Sequence, residues 1–181
     1  GDSPYSLDSG ATGQPGGQGT CWIGSMPGAF PSSGHRTLIV NAPVKPIVLI
    51  TGAAGNIGRS LAGALADGYR IVGFDRPGTT ADFPLIEVDL TKDESIGAAL
   101  DRFREDHGRH IASVIHLVAF FDFTGEENPL YQEVNVEGTR YLVQEAERAG
   151  VKRFVLVSSL GADRGESAYH QSNLAAEEVV L

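Results

Sequence analysis

The sequence predicts an α/β fold in which a doubly wound parallel β-sheet carries helices on both faces. Two observations carry that prediction. From Pro46 onward, strand-like apolar runs and helix-periodic stretches alternate, and such alternation requires crossover connections between parallel strands. The first run also breaks directly into Gly52, Gly55 and Gly58, spaced G-x-x-G-x-x-G, ahead of a helical stretch.

Local signals justify each element in turn. Residues 47–50 form a continuous apolar run suited to a central strand buried on both faces. After the glycines, Ile57, Leu61, Ala64 and Leu65 fall on one helical face, and Gly68 is placed to end that helix. A second strand over 69–74 ends in Asp75, and a third covers 85–88. Thr91 with Glu94 predicts a capping box for the helix carrying Ile96, Leu100 and Phe103. A fourth strand spans 112–119. Asn128-Pro129 supplies an N-cap and a first-turn proline for a long helix through Leu130, Val134, Tyr141 and Leu142, closed by Gly150. A fifth strand covers 153–157, and a last helix begins near Tyr169. There is no internal repeat beyond this alternation.

The glycine turn suggests chemistry. The first N–H groups of a helix lack partners within it, and the helix dipole adds positive potential there, so the turn suits a dinucleotide pyrophosphate. Glycines remove the Cβ atoms that would hold the ligand away. Asp75 stands 23 positions after Gly52, where a dinucleotide fold places an acid on the adenosine ribose. Taken alone, such a turn can be a connection that binds nothing; strand, turn, helix, strand and acid in order favour a binding site. A carboxylate at 75 accepts from both ribose hydroxyls of NAD and repels the 2′-phosphate of NADP. Arg76 pulls the other way, because a guanidinium beside the ribose pairs with that phosphate. Its plainer role is a solvent-facing residue before Pro77-Gly78. The negative charge at the ribose favours NAD over NADP.

Composition narrows the function classes. At 181 residues the chain is long enough for one domain with a substantial core. A net charge of −9 and a pI near 4.9 argue against a general nucleic-acid surface. Arg102, Arg104 and Arg109 interleave with Asp101, Glu105 and Asp106, as on a solvated helix face. Cys21 is the single cysteine, so no intramolecular disulfide forms, and a reducing, cytoplasmic location is expected. No basic region followed by an apolar core opens the chain. No membrane partner is expected, because the longest apolar candidate, residues 38–50, is broken by Asn41, Pro43, Lys45 and Pro46. Residues 1–34 lack Lys and Arg and are rich in Gly, Pro and Ser, which predicts a disordered or non-native leader. Met26, the only methionine, is a candidate natural start. Residues 35–45 read as a linker and 46–181 as a dinucleotide-binding domain, incomplete at its C-terminus.

Five local motifs occur in a telling order: Thr51-Gly52-Ala53-Ala54-Gly55-Asn56-Ile57-Gly58, Asp89-Leu90-Thr91, His116-Leu117-Val118-Ala119, Asn135-Val136-Glu137-Gly138-Thr139, and Val157-Ser158-Ser159. Together they resemble the short-chain dehydrogenase/reductase superfamily, in its extended or atypical branch of NAD-dependent epimerases and dehydratases. The resemblance covers roughly residues 46–181. It implies a Rossmann-type sheet, here truncated after the fifth strand and its following helix. It also implies a cofactor cradle at Gly52, Gly55, Asn56, Ile57 and Gly58, with ribose contacts at Asp75 and Arg76. Asp89 and Leu90 would meet the adenine, and Leu117, Val118 and Ala119 would line the cofactor.

That family's chemistry uses a Tyr and a Lys four residues apart on one helix face, beside a serine. The lysine holds the nicotinamide ribose and lowers the tyrosine pKa from about 10. This chain reads Tyr169-His170-Gln171-Ser172-Asn173, so Asn173 stands in the lysine's place. An amide can hydrogen-bond a ribose hydroxyl, but it brings no positive charge to a tyrosinate. Ser159, 10 positions before Tyr169, is the candidate to polarise a substrate oxygen. Tyr169 is otherwise an ordinary half-buried helix tyrosine. Two functions stay open. One is an NAD(P)-dependent oxidoreductase or epimerase/dehydratase acting on a small molecule by hydride transfer at a hydroxyl or carbonyl carbon. The other is a non-catalytic dinucleotide-binding or redox-sensing module that has lost the lysine.

The remaining residues of note are quieter. His116, inside the fourth strand, reads as a packed core residue, and His107 and His110 as loop residues; no metal site is expected. Asn135 is either a support for the active site, as in relatives, or a helix-surface polar group. Phe120, Phe121 and Phe123 either line an apolar substrate pocket or pack beneath their loop. Glu126 and Glu127 are expected to be exposed. Because the chain stops at Leu181 inside its last helix, it is expected to be a fragment, or to borrow a partner, as in a homo-oligomer, to cover its sheet.

Overall fold

The structure is a computed structural model that describes residues 44–123 and 127–181; the predicted leader, nearly all of the linker, Cys21, Met26 and Glu126 lie outside the described residues. Five parallel strands form one sheet: β1 (Ile47–Thr51), β2 (Arg70–Asp75), β3 (Leu85–Glu87), β4 (Ser113–His116) and β5 (Phe154–Leu156), in the order β3-β2-β1-β4-β5. β1 lies at the centre because its residues are apolar on both faces. Ile47 and Leu49 join a core with β2, β4 and the helices α2 (Asp93–His107) and α3 (Thr139–Arg148), while Val48 and Ile50 pack on the side of α1 (Asn56–Leu65). The last helix, α4 (Ala168–Val180), packs beside α3. Burying a side chain such as Leu49 or Phe74 completely stabilises the fold by about 1.5–3 kcal/mol each.

Several predicted elements shift for identifiable reasons. In α1 the buried face is centred on Gly58 and Ala62, whereas Ile57 is 65% exposed and Ala64 is exposed. Backbone approach at Gly58, not side-chain apolarity, sets that face. The helix ends at Leu65, before Gly68, which keeps a negative φ. The Thr91–Glu94 capping box does not form, because the helix starts one residue later, with Lys92 at the cap position and no side-chain bond there, while the Thr91 hydroxyl is turned back towards Asp89 Oδ1 at 2.6 Å. β4 ends at His116: its neighbour β1 turns away at Gly52, and the last link between them is Leu117 N–H to the Thr51 carbonyl at 3.3 Å. β5 is likewise shorter than predicted, although Val157 N–H still donates to the His116 carbonyl at 3.0 Å. His107 belongs to the last turn of α2, its ring 5.5 Å from that of Phe103.

The long helix starts where Asn128-Pro129 predicts, with Asn128 Oδ1 accepting from Leu130 N–H at 3.0 Å. Gly150, at φ +74°, closes it. Between these ends, Tyr131–Gly138 is wound as a π-helix that runs directly into α3. A Cβ at Gly138 would stand 2.8 Å from the Leu90 carbonyl oxygen, so glycine lets this wide segment press against the turn that follows β3.

Candidate functional site

From β1 the chain first winds outward to β2 and β3, then returns to the other side for β4 and β5. Such a reversal opens a crevice at the carboxyl ends of the strands, the place where doubly wound folds bind ligands. The crevice is a cleft of about 700 Å³. Gly52, Ala54 and Gly55 form its floor; Phe74, Asp75 and Arg76 bound one side, and residues 88–91 the outer end. Residues 117–120 and Val134 of the π segment close the other side.

Gly52 sits at φ +69°, a conformation that costs an L side chain about 1–2 kcal/mol. Its N–H donates to the Phe74 carbonyl at 2.8 Å and its carbonyl accepts from Gly55 N–H at 3.1 Å, which closes the turn. Gly58 lies beneath: a Cβ there would come within 2.4 Å of the Gly52 oxygen and 2.6 Å of Ala53 Cα. Helix α1 therefore starts directly on the turn. Its cap, Gly55, offers no side chain to the first amides, and its first turn holds no acid, whereas α2 opens with Asp93 and Glu94. The start of α1 therefore carries neither a side-chain cap nor an acid of its own. Arg59 braces the turn, donating from Nε to the Ala54 carbonyl at 2.8 Å and from Nη2 to the Thr80 carbonyl across the loop that follows β2.

Asp75 is held in place. Its Oδ2 accepts from Ala54 N–H and its Oδ1 from Arg76 N–H, both at 2.8 Å. The carboxylate therefore stands fixed beside the glycine turn with lone pairs to spare for further donors. Arg76 is exposed at the rim. Asp89 closes a tight turn, accepting from Thr91 N–H at 3.1 Å as well as from its hydroxyl, and pairing with Lys92 at 2.8 Å. Those bonds, Lys92 first and Thr91 next, pull its pKa down to about 2. With its carboxylate so engaged, Asp89 shapes the wall mainly as a rigid turn.

On the far wall Asn135 is buried, which excludes a helix-surface role. Its Oδ1 accepts from Phe120 N–H at 2.5 Å, and its Nδ2 donates to the Phe120 carbonyl at 3.1 Å and to Ser172 Oγ at 2.9 Å. One amide thus clamps the backbone of the cleft wall and ties it to α4. His116 is fully buried, as expected of a core residue.

The cleft brings together Gly52, Gly55, Asp75, Arg76, Asp89, Leu90, Leu117, Val118 and Ala119 from the sequence expectations. Asn56, Ile57 and Gly58 lie outside its lining, with Gly58 acting through packing. Phe120, one of the three aromatics considered for a pocket, does line it, whereas Ala54, Phe74, Pro77, Thr79, Val88, Thr91 and Val134 were not anticipated; Ala54 had a signal, being an unassigned position inside the glycine spacing. Ser159, Tyr169 and Asn173 lie outside the lining as well. Tyr169 is half-buried and connects to the wall region through Phe121, whose ring meets it edge-on at 4.9 Å and meets Phe123 at 5.0 Å. Phe121 and Phe123 are both exposed rather than packed beneath their loop. Ser158 Oγ donates to Glu177 on α4, which leaves Ser159 as the serine not tied to that helix. Asn173 is 4% exposed and donates from Nδ2 to the Tyr169 carbonyl at 2.8 Å, so one of its two amide N–H donors is engaged within its own helix. Among the described residues no group of His, Cys, Asp or Glu is arranged to hold a metal ion, and no helix is long and apolar enough to cross a membrane.

A five-stranded parallel sheet with a glycine turn, a fixed acid after β2 and a cleft at the strand reversal defines a Rossmann-type nucleotide-binding domain. Within that class the chain belongs to the NAD dependent epimerase/dehydratase family, whose model matches residues 48–177. It is 34% identical, over 74% of its length, to a 3 beta-hydroxysteroid dehydrogenase/Delta 5→4-isomerase of Mycobacterium tuberculosis, and spans 42% of that protein. Its fold matches a short-chain dehydrogenase/reductase superfamily protein from Agrobacterium tumefaciens, solved with bound NAD, at TM-score 0.61 and 31% identity, covering 74% of this chain and 44% of that one. MoeE5, solved with UDP-glucuronic acid and NAD, matches at TM-score 0.60 and 30% identity, covering 74% and 48% respectively. The chain therefore spans under half the length of these relatives.

Proposed function

We propose that this chain is the NAD-binding part of an oxidoreductase or epimerase/dehydratase that acts on a small molecule at a carbon bearing a hydroxyl or carbonyl. One observation carries the reading: the Asp75 carboxylate, fixed by two backbone amides beside the glycine turn, presents acceptors where an adenosine ribose presents hydroxyls. The cradle fits the group. A Cβ at Gly52 would meet Val118 at 3.1 Å, and the cleft volume lies in the range of about 300–1,000 Å³ usual for ligand sites. Asn56 and Ile57 would present first-turn amides to the pyrophosphate, Asp75 would hold the ribose with Arg76 at the rim, and Asp89 and Leu90 would flank the adenine. Leu117, Val118 and Ala119 would form the wall. Bound NAD supplies a hydride acceptor at C4 of its nicotinamide. The Tyr169 hydroxyl would exchange the proton with the substrate oxygen, Ser159 would donate a hydrogen bond to that oxygen, and Asn173 would set the Tyr169 turn through its bond to the carbonyl.

Phe121 and Phe123, both exposed, form an aromatic run with the half-buried Tyr169, which favours an apolar, ring-bearing substrate over a sugar nucleotide. A cytoplasmic location is part of this reading. The test is a fluorescence titration with NADH and NADPH. NADH is expected to bind more tightly, and Asp75→Asn to lose about tenfold or more of that affinity, the value of a charge-assisted bond. Equal binding of the two cofactors that survives Asp75→Asn overturns the assignment. The burial of Asn173 also supports the alternative of a non-catalytic dinucleotide module. Asn173→Lys separates the two: raised turnover at unchanged NADH affinity fits a weakened enzyme, and absence of turnover in both forms fits the module.

A further inference from the structure

Thr51, the last residue of β1, opens the glycine turn, and a run of buried hydrogen bonds leads from it across the sheet. Thr51 Oγ1 lies 2.6 Å from His116 Nδ1, and His116 Nε2 lies 3.1 Å from Thr139 Oγ1. The Thr139 hydroxyl is 2.6 Å from the Asn135 carbonyl. Chemistry fixes every direction. A carbonyl only accepts, so Thr139 gives its single proton to Asn135 and must accept from His116; Nε2 of the imidazole therefore carries the proton. In the neutral ring Nδ1 is then an acceptor, and it takes the Thr51 proton. The Thr51 oxygen, with a lone pair left, accepts from Leu117 N–H at 3.3 Å. Asn135 continues the path through its side chain to Phe120 and Ser172, and Ser172 Oγ donates to the Tyr169 carbonyl at 2.9 Å.

We propose that His116 is a positioning residue for the cofactor cleft: as a neutral Nε2–H imidazole it locks the entry to the glycine turn, through Thr51, to the far wall and to the π segment. This rests on the cleft being the NAD site. Thr51, His116 and Thr139 are all fully or almost fully buried, so no water replaces a lost partner. Burial also favours the uncharged ring that the directions require. The two ring nitrogens have different tasks, and that makes the assignment testable. The carbonyl of an asparagine at 116 can stand where Nδ1 accepts from Thr51, whereas a glutamine amide reaches only the Thr139 side.

The experiment is NADH titration of the 181-residue chain and its His116→Asn, His116→Gln and His116→Leu variants, each checked for native circular dichroism, together with ¹⁵N imidazole spectra of the parent chain. His116→Asn is expected to bind NADH within about threefold of the parent, and His116→Gln and His116→Leu to lose about tenfold, one buried hydrogen bond's worth. The spectra are expected to place the His116 proton on Nε2. Variants that all bind as the parent does, or an Asn variant as weak as Leu, overturn the proposal, and so does a proton on Nδ1 even if a variant fails to fold. Failure of the parent chain itself to bind NADH would instead overturn the cofactor reading beneath it.

Discussion

Gly58→Ala tests how tightly helix α1 is seated on the glycine turn. The added methyl would lie 2.4 Å from the Gly52 oxygen and 2.6 Å from both Ala53 Cα and the Ala53 oxygen. Relaxed contacts need about 3.5–4.0 Å, so the helix must retreat by roughly 1 Å. All three neighbours are backbone, which leaves no rotamer to absorb the clash. Overpacking of this kind costs about 1–3 kcal/mol, and here the upper end applies. The better helix propensity of alanine offsets roughly 1 kcal/mol. Gly63 is the control, because a Cβ there meets nothing within 4 Å and Gly63→Ala keeps only the propensity gain. The two variants are therefore expected to differ by about 3 kcal/mol in urea unfolding, or roughly 10 °C in Tm for a domain of this size. NADH affinity should fall about tenfold or more in Gly58→Ala alone, although Gly58 does not line the cleft. Coincident unfolding curves for the two variants would refute the close seating of α1 and with it this account of the cradle.

Further expectations concern pH, bracing and capping. Burial pushes the His116 imidazole down from 6.5 to about 4. Between those values the unfolded chain binds a proton that the folded chain refuses, so the contribution is complete above about pH 6.5 and falls by about 3 kcal/mol as pH drops towards 4. His107, lowered by burial and by Arg70, acts in the same direction, so the measurement is the difference in pH slope between the parent and His116→Asn. Parallel slopes would contradict it. Arg59→Ala should weaken NADH binding severalfold with stability changed by less than about 1 kcal/mol, and Arg59→Lys should not restore it, because one ammonium cannot serve the Ala54 and Thr80 carbonyls as a fork does. Full rescue by lysine would speak against bracing. Asn128→Ala should cost about 1 kcal/mol in thermal unfolding and Asn128→Asp much less, since the cap requires only the oxygen that accepts from Leu130 N–H.

Much of this chain is legible one segment at a time. The order of strands and helices follows from apolar periodicity, and the glycine turn follows from spacing. Asp75 follows from its distance along the chain, and the N-cap at Asn128 from its Asn-Pro pair. The readings that failed are those where a local signal met a nearby competitor. Thr91 was placed to cap α2, but Asp89 two residues earlier turns its hydroxyl into the preceding turn and Lys92 takes the cap position instead. Ile57 and Ala64 gave α1 an apolar face, yet the backbone contact at Gly58 rotated another face inward.

The sequence by itself determined the class of fold, the location of the cleft and most of the residues that line it, because each of those rests on neighbours in the chain. Tertiary structure alone decided how the site is held. Ala54 meets Asp75 across 21 positions, Thr51 meets His116 across 65, and Asn135 meets Ser172 across 37. No local pattern encodes such pairs. They exist because the sheet brings the ends of its strands together and excludes water there, so that each buried polar group must find a partner from a distant part of the chain.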